Sequence, residues 1–394
     1  MWSGAYATMT KQMASQFDAA HPGEHVTVLN VPSADGDAKL LSAIAAGDPP
    51  DVFTEWNPTI GADASNGAIQ PLDKFLVGKY KSLKSWMYPV VLQGGLYKGK
   101  LYAIPMSMNS EALYYNKSML KAAGISSPPK TLAQLDTDQA KEWKSSGSHL
   151  EQVGFYPLTA GFELFNSYFG VANGGYAHGK YELASNPRAR AEMSWLASYS
   201  KYSYSSVSGL NSAIGQVGGG SVDLFSDGKE GFDLTGPWEA ASTIPDSNPA
   251  MEHNFGVVPF PRVPGGPTTP TSEINGNYNF IPKGAKNAKG AFQLITWLAG
   301  YDNPAEASYL PKVGWMPPSP ELAKAPTFVA WEKKDSYVKS FLETMLSRSS
   351  EQMPLNPRAA EYTTAVTTAV QNVATHKMSS QKALAYIDSK ANGS

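Results

Sequence analysis

The chain has 394 residues, of which 42% are apolar and only 17% are charged, and it contains no cysteine. This length predicts two or three domains, and the low charge with ample apolar content argues against disorder. A formal net charge of -2 leaves no basic excess for binding phosphates, so we expect no nucleic-acid partner, and without cysteine there is neither a disulfide scaffold nor a thiol nucleophile.

The first 56 residues predict a βαβ unit. Apolar residues recur at helical spacing from Tyr6 to Phe17, and residues 21–23, His-Pro-Gly, would end that helix. Residues 26–31 read as a strand, residues 37–46 as an amphipathic helix, and residues 51–53 as a short second strand. Two strands joined by a helix within thirty residues predict a parallel sheet.

Later elements follow the same patterns. Strands are predicted at residues 101–105, 112–115, 231–234, 255–258 and 278–281, the first two as a tight pair. Amphipathic helices are predicted at residues 288–298 and 362–373. No apolar run approaches the roughly 20 residues that span a bilayer, and no charged-then-apolar export segment opens the chain, so we expect a soluble protein.

Two glycine-rich segments have the spacing of a phosphate-binding loop, residues 94–100 and 174–180. In both, the Ser or Thr that would hold magnesium is replaced, by Leu101 and Tyr181, and ordinary turns explain the glycines. His21 and His25 are four residues apart, but Pro22 between them prevents the helical turn that would aim both rings at one metal. We expect neither a metal ion nor another cofactor.

Paired carboxylates are a separate possibility, because a glycosidase needs only two, placed about 5 to 10 Å apart by the fold. Five candidates lie near aromatic residues or glycines: Glu55, Glu111, Glu163, Glu239 and Glu273. Each is read first as a solvated or hydrogen-bonding carboxylate. A glycoside-active enzyme nevertheless stays open as an alternative.

Aromatic residues beside backbone breakers suggest a binding surface. Five segments combine a Trp or Tyr with polar neighbours: residues 2–4, 55–58, 236–239, 275–278 and 314–317. An aromatic face can cover the C–H face of a sugar ring while nearby polar groups bond its hydroxyls. The remaining tryptophans, Trp86, Trp143, Trp195, Trp297 and Trp331, lie within helical patterns and are assigned to core or surface.

Several motifs resemble those of one known family. They are residues 97–105 (YKGKLYAIP), 112–117 (ALYYNK), 123–125 (AGI) and 128–131 (PPKT), supported by 46–52, 236–238 and 255–261. The chain resembles a bacterial extracellular solute-binding protein of the carbohydrate-binding family typified by maltose-binding protein, and the resemblance extends in order over essentially the whole sequence.

That resemblance implies an α/β periplasmic-binding-protein fold of two lobes joined by hinge segments, with a ligand cleft between the lobes. The N-terminal lobe would hold residues 1–109 and 280–318, and the C-terminal lobe residues 113–276 and 325–394. Hinge crossings are expected near residues 110–112, 277–279 and 319–324.

Candidate ligand-binding residues follow from the resemblance by position. The first lobe would supply Trp2, Ser3, Glu55, Trp56 and Asn109. The second would supply Glu163 and Asn166 from the 162–166 segment, then Trp238, Arg358 and Tyr362. Asn277, Tyr278 and Trp315 lie where the family often contributes ligand contacts.

The resemblance implies a protein that makes and breaks no bond: it captures a carbohydrate, of the di- or oligosaccharide class, and delivers it to the permease subunits of an ABC importer. It also implies a monomer and an extracytoplasmic location, in the periplasm or as a surface lipoprotein. Family members normally begin with an export signal and a strand before the first tryptophan, so we expect this chain to be a trimmed or incomplete form. A binding protein for a non-sugar solute remains the other alternative.

Overall fold

A computed structural model describes residues 5–31, 36–56, 59–146, 149–157, 168–202, 223–352 and 355–393. The chain forms two compact units. Unit 1 comprises residues 1–109, 274–335 and 352–359, and unit 2 comprises residues 110–273, 336–351 and 360–394. Compared with the predicted N-terminal lobe, unit 1 also takes in residues 274–279, 319–335 and 352–359, so Asn275 and Arg358 belong to unit 1.

The described helices, in chain order, are α1 Ala5–Ala20, α2 Gly36–Ala45, α3 Ile60–Asn66, α4 Leu83–Trp86, α5 Pro89–Gln93, α6 Lys117–Ala122, α7 Leu132–Ala140, α8 Pro187–Ser198, α9 Ile244–Ser247, α10 Ala288–Leu298, α11 Leu310–Val313, α12 Pro326–Lys334, α13 Tyr337–Met345, α14 Ala359–Ala374 and α15 Ser380–Asn392. The described strands are β1 Phe53–Trp56, β2 Leu96–Tyr97, β3 Lys100–Leu101, β4 Ala103–Asn109, β5 Ala112–Asn116, β6 Lys144–Ser146, β7 His149–Gln152, β8 Tyr176–Ala177, β9 Lys180–Tyr181, β10 Phe232–Thr235, β11 Phe255–Val258, β12 Glu273–Phe280 and β13 Glu351–Gln352. Among these helices, none is both long and apolar enough to cross a membrane.

The main sheet of unit 1 is built around β12, which pairs antiparallel with β1 and β4. One face of the sheet carries Phe53, Tyr278 and Phe280, and α2 and α5 lie against it: Gly36 contacts Phe53, and the Tyr278 hydroxyl donates to the Val91 carbonyl at 2.8 Å. Helix α10 packs on β4. Its residues 288–298 agree with the helix predicted from the apolar periodicity.

The predicted parallel βαβ unit is wrong for the described chain. Helix α1 forms and ends before Gly23, whose φ is +99°, but residues 26–31 form no strand with any of the described residues. The Val26 amide donates to Asp18 Oδ1 at 2.9 Å instead, and Leu29 is 82% exposed. Alternating side chains predict an extended backbone, but a strand also needs a neighbouring chain, which this local pattern cannot supply.

The predicted tight pair of strands before and after residue 110 is also wrong. Both strands form, as β4 and β5, but β4 pairs with β12 of unit 1, whereas β5 is the central strand of the antiparallel sheet β10-β5-β11 in unit 2. The chain leaves one unit between Asn109 and Ser110. A change of unit separates these strands where the sequence pattern suggested a hairpin.

The core of unit 2 lies on one face of this sheet, where helices α14 and α15 join α7 and α8 around Leu113, Phe232 and Leu234. Two buried carboxyl groups interrupt the apolar surroundings of unit 2. Glu192 on α8 is fully buried, and Glu142 after α7 is 1% exposed; none of their carboxylate oxygens has a hydrogen-bond partner. Burial raises both pKa values, that of Glu142 to about 8, with the nearby Asp138 adding to the rise.

Candidate functional site

A row of asparagines lies on one face of the main sheet of unit 1. Side chains alternate along a strand, so Asn275 and Asn277 of β12 share a face, opposite to that of Tyr278. The register places Asn275 opposite Asn109, and Asn277 opposite Ser107, on β4. We call Asn109, Asn275 and Asn277 the asparagine row; each is only 5 to 7% exposed.

The asparagine row is incompletely hydrogen-bonded by protein. Asn277 Nδ2 donates to Ser107 Oγ at 3.1 Å, but Asn277 Oδ1 and Asn109 Oδ1 are buried and accept no hydrogen bond from the described residues. By contrast, Oδ1 of the next residue on this face, Asn279, accepts from Thr54 at 2.6 Å. A buried acceptor without a donor costs about 1 to 3 kcal/mol, which a hydrogen bond from a donor such as a hydroxyl group would offset.

Two tryptophan positions neighbour the asparagine row in the backbone register. Trp56 of β1 is in register with Asn277, and its side chain lies outside the described part of the structure. On the other side of β4, Met108 and Met316 exchange backbone hydrogen bonds of 3.1 and 2.9 Å, so Trp315, one residue earlier, falls on the face of Asn109. Trp315 is 7% exposed. Buried amides beside the Trp315 position place polar groups next to an apolar ring.

Glu55 lies on the other face of β1, toward helix α2. It is in register with Tyr278, and a Cβ atom placed on Gly36 would come within 2.8 Å of Glu55 Oε2. A carboxylate there, at the first residue of a ten-residue helix, is favoured by the helix dipole. Asp63 on α3 is 7% exposed, and burial with the nearby Asp37 raises its pKa to about 7.

Two predicted ligand-binding tyrosines are core residues instead, and both predictions are corrected here. Tyr278 is fully buried, with its hydroxyl between the Val91 carbonyl and Gln352 Nε2. Tyr362 is also fully buried and stacks on Tyr181 with ring centroids 4.4 Å apart. In each case, apolar residues recur on the same face of the helix or strand as the tyrosine. A tyrosine in such a pattern is more often a core residue than a ligand contact.

Arg358 lies in unit 1, directly before α14. Its backbone amide donates to Asn356 Oδ1 at 2.9 Å. The backbone of Leu355 and Asn356 packs on Gly61 of α3 so closely that a Cβ there would lie 2.7 Å from it. This contact brings the segment before Arg358 against the helix that follows Trp56.

In unit 2 the structure sets Trp238 apart from the other tryptophans that it describes. The assigned core and surface tryptophans all have ring or hydrogen-bond partners: Trp86 with Glu321, Trp143 with Gln139, Trp195 with Asp136, Trp297 with Phe17 and Trp331 with Phe328. Trp238 is half-buried, and its indole has neither a ring partner nor a hydrogen bond from its N–H to the described residues. Its six-membered ring lies on Gly236.

Glu239 follows Trp238 at the start of a π-helix, Glu239–Thr243. Its carboxyl is 4% exposed and accepts a hydrogen bond from the Ser226 hydroxyl. Burial, together with the nearby Asp223, raises the pKa of Glu239 to about 8, so this side chain holds its proton at neutral pH. A protonated carboxyl can donate a hydrogen bond.

Trp2, Ser3, Glu163 and Asn166 lie outside the described residues. The glycine-rich segments are hairpins: residues 98 and 99 join β2 to β3, residues 178 and 179 join β8 to β9, and all four have positive φ, as in a type I′ turn. Within the described ranges, no group of three or more His, Asp or Glu side chains is placed to hold a metal ion.

The sequence was compared with known families and the fold with solved structures. The family model of bacterial extracellular solute-binding proteins matches residues 3–303. The chain belongs to this family. A solved structure, CpMnBP1 with mannotriose bound, is 29% identical to this solute-binding protein, with a TM-score of 0.82 over 99% of this chain and 98% of its own.

Two relatives are similar in sequence. The galactooligosaccharide-binding protein of Bacillus subtilis is 25% identical over 95% of this chain and 83% of its own length. The maltotriose-binding protein of Pyrococcus abyssi is 24% identical over 80% of this chain and 60% of its own length. The family resemblance and the two-lobed α/β fold expected from the motifs are thereby confirmed.

Ser107 was missed by sequence reasoning, and Asn275 was included only in the 275–278 segment and not as a candidate ligand residue. A signal was present, because asparagines at 275, 277 and 279 repeat with the period of a strand. Their pairing with Asn109 depends on the register between strands far apart in sequence.

Proposed function

We propose that this solute-binding protein captures a di- or oligosaccharide and delivers it, chemically unchanged, to the permease subunits of an ABC importer outside the cytoplasm. The observation that carries the proposal is the pair of buried, unpartnered amide oxygens of Asn109 and Asn277. A sugar supplies hydroxyl donors for such acceptors. Family membership and the sugar-binding relatives support the same ligand class.

Several side chains are candidate contacts in this proposal. Trp238 of unit 2 offers an indole face for a sugar ring. In unit 1, Trp315 lies on the face of the asparagine row. The candidates proposed from the sequence also include Trp2, Ser3, Glu55, Trp56, Glu163, Asn166 and Arg358. The protein needs no cofactor for this task, and it acts as a monomer.

Binding of neutral trisaccharides tests the proposal. Wild-type protein is titrated calorimetrically with mannotriose, maltotriose and a galactotriose, and each sugar is then recovered and analysed by chromatography. We expect one of them to bind and to be recovered intact. Failure of the whole panel to bind would refute carbohydrate capture, and recovery of shorter sugars would favour the glycoside-active enzyme. Loss of labelled-sugar uptake in cells lacking the gene would test delivery.

Asn109→Ala separates a ligand role from a structural one. The substitution removes a buried oxygen that has no protein partner, so the unliganded protein should be as stable as the wild type or slightly more stable, while sugar affinity should fall at least tenfold. Asn116→Ala is the matched control: Asn116 accepts from the Met119 amide and caps α6, so its loss should lower the melting temperature and leave affinity unchanged. Unchanged affinity in Asn109→Ala would remove the asparagine row from the site.

A further inference from the structure

We propose that Gly236 and Tyr114 are positioning residues that hold the Trp238 indole in its ligand-binding orientation. The inference rests on the proposed function, because it requires that Trp238 contact the sugar. It goes beyond that function by assigning a role to two residues that do not themselves contact the ligand.

The first observation is the contact between Trp238 and Gly236. A Cβ atom built on Gly236 would overlap Cζ3, Cη2 and Cε3 of the indole, all in the six-membered ring. Gly236 is itself buried. Any other residue at this position would therefore displace the indole, because the ring occupies the volume where its side chain would begin.

The second observation is the anchor of Gly236. The Tyr114 hydroxyl donates to the Gly236 carbonyl at 3.0 Å. Tyr114 is fully buried in the central strand β5, with Phe225, Phe255 and Phe341 around its ring at centroid distances of 5.7, 5.6 and 6.1 Å. Because the Tyr114 ring is packed on several sides, the position of its hydroxyl is fixed. The hydrogen bond from this hydroxyl then holds the Gly236 peptide, on which the indole lies.

The backbone on the other side of Trp238 is held as well. Pro237 restricts φ between Gly236 and Trp238, and the Ser242 hydroxyl donates to the Trp238 carbonyl at 3.0 Å within the π-helix. One face of the indole is thus backed by Gly236, while its N–H makes no hydrogen bond to the described residues. A ring held in this way loses little rotational freedom when a ligand stacks on it, which favours affinity.

A double-mutant cycle tests whether Gly236 acts through Trp238. Affinity for the trisaccharide that binds the wild type is measured for Gly236→Ala, Trp238→Ala and the double variant. We expect Gly236→Ala to weaken binding about tenfold in the wild-type background and to have no further effect once Trp238 is Ala, since there is no longer an indole to displace. A merely structural glycine would lower affinity equally in both backgrounds, and that result would overturn the proposal.

Gly256→Ala is the matched control. Gly256 lies on β11 beneath the Tyr115 ring, which a Cβ there would also overlap. Its substitution should lower the melting temperature and leave affinity unchanged. If it weakens binding as much as Gly236→Ala does, general damage to unit 2 explains both results and the proposal fails.

Tyr114→Phe provides a second test, which also serves if Gly236→Ala does not fold. Removing the hydroxyl should weaken binding about threefold in the wild-type background and not in Trp238→Ala; equal losses in both backgrounds would overturn the proposal.

If Trp238→Ala binds like the wild type, sugar capture stands and the positioning role is refuted. If wild-type protein binds no sugar, the proposed function fails first and this inference with it.

Discussion

Glu142→Gln should stabilise the protein, by an amount that grows with pH. The Glu142 carboxyl is 1% exposed, has no hydrogen-bond partner on either oxygen and overlaps the position of a Cβ on Gly231. Burial raises its pKa from 4.5 to about 8. Between those values the folded protein keeps a proton that the unfolded chain releases, so stability is lost as pH rises from 4.5 to 8.

The size of the effect follows from the shift. Each pKa unit corresponds to about 1.36 kcal/mol, so the 2.5 units between pH 4.5 and pH 7 correspond to about 3 kcal/mol of lost stability. Below pH 4.5 the carboxyl is protonated in both the folded and the unfolded protein, so its titration does not lower the free energy of unfolding. Glutamine has the shape of the protonated glutamate but does not titrate. The substitution should therefore restore most of the lost stability at pH 7.

Urea unfolding at pH 5, 6, 7 and 8 measures the effect. The free energy of unfolding of Glu142→Gln minus that of the wild type should increase by about 2 to 3 kcal/mol between pH 5 and pH 7. A pH-independent difference for Glu142→Gln would refute the reasoning, because it would show that the carboxyl titrates alike in both states.

Three further outcomes follow from packing. Tyr362→Ala should cost about 3 to 5 kcal/mol of stability, as for other buried aromatics, and Tyr362→Phe should bind sugar like the wild type; weaker binding by the Phe variant would return Tyr362 to the ligand site. Gly61→Ala should lower stability by about 1 to 3 kcal/mol, read from urea midpoints, because its Cβ would press on the backbone of Leu355 and Asn356; an unchanged midpoint would contradict that contact. Leu29→Lys should leave the melting temperature within a few degrees and slow aggregation on heating, as followed by light scattering, because it removes an exposed leucine. Faster aggregation would contradict that reasoning.

Local patterns predicted local structure well. The apolar spacing at residues 288–298 coincides with α10, and the strands at residues 255–258 and around 232–235 formed as expected. The two glycine-rich segments before Leu101 and Tyr181 were read as ordinary turns and not as phosphate-binding loops, and both form short hairpins. The hairpin turns are decided within a few residues, whereas β10 and β11 formed at the predicted positions but pair with β5, more than 100 residues earlier.

Long-range pairing could not be predicted in the same way. The partners of β4 and β5 depend on where the chain passes from one unit to the other, which alternation of side chains does not encode. For the candidate site, the motifs pointed to Trp238, Asn109 and Asn277. Tyr278 was also included, although it shares one strand face with Ile274 and Phe280, a pattern that indicates a core position. Its hydroxyl lies between Val91 and Gln352, as a core position requires.

The pairing of β4 with β12 has a consequence for synthesis of the chain. Asn109 is in register with Asn275 and Ala103 with Phe280. At 5 to 20 residues per second, the ribosome adds the intervening stretch of about 170 residues in roughly ten to thirty seconds. During that interval the β4 segment has left or is leaving the ribosome while its β12 partner does not yet exist. Unit 1 therefore completes its sheet only late in translation or afterwards, and unit 2, whose β5, β10 and β11 fall within one continuous stretch, can assemble its own sheet first.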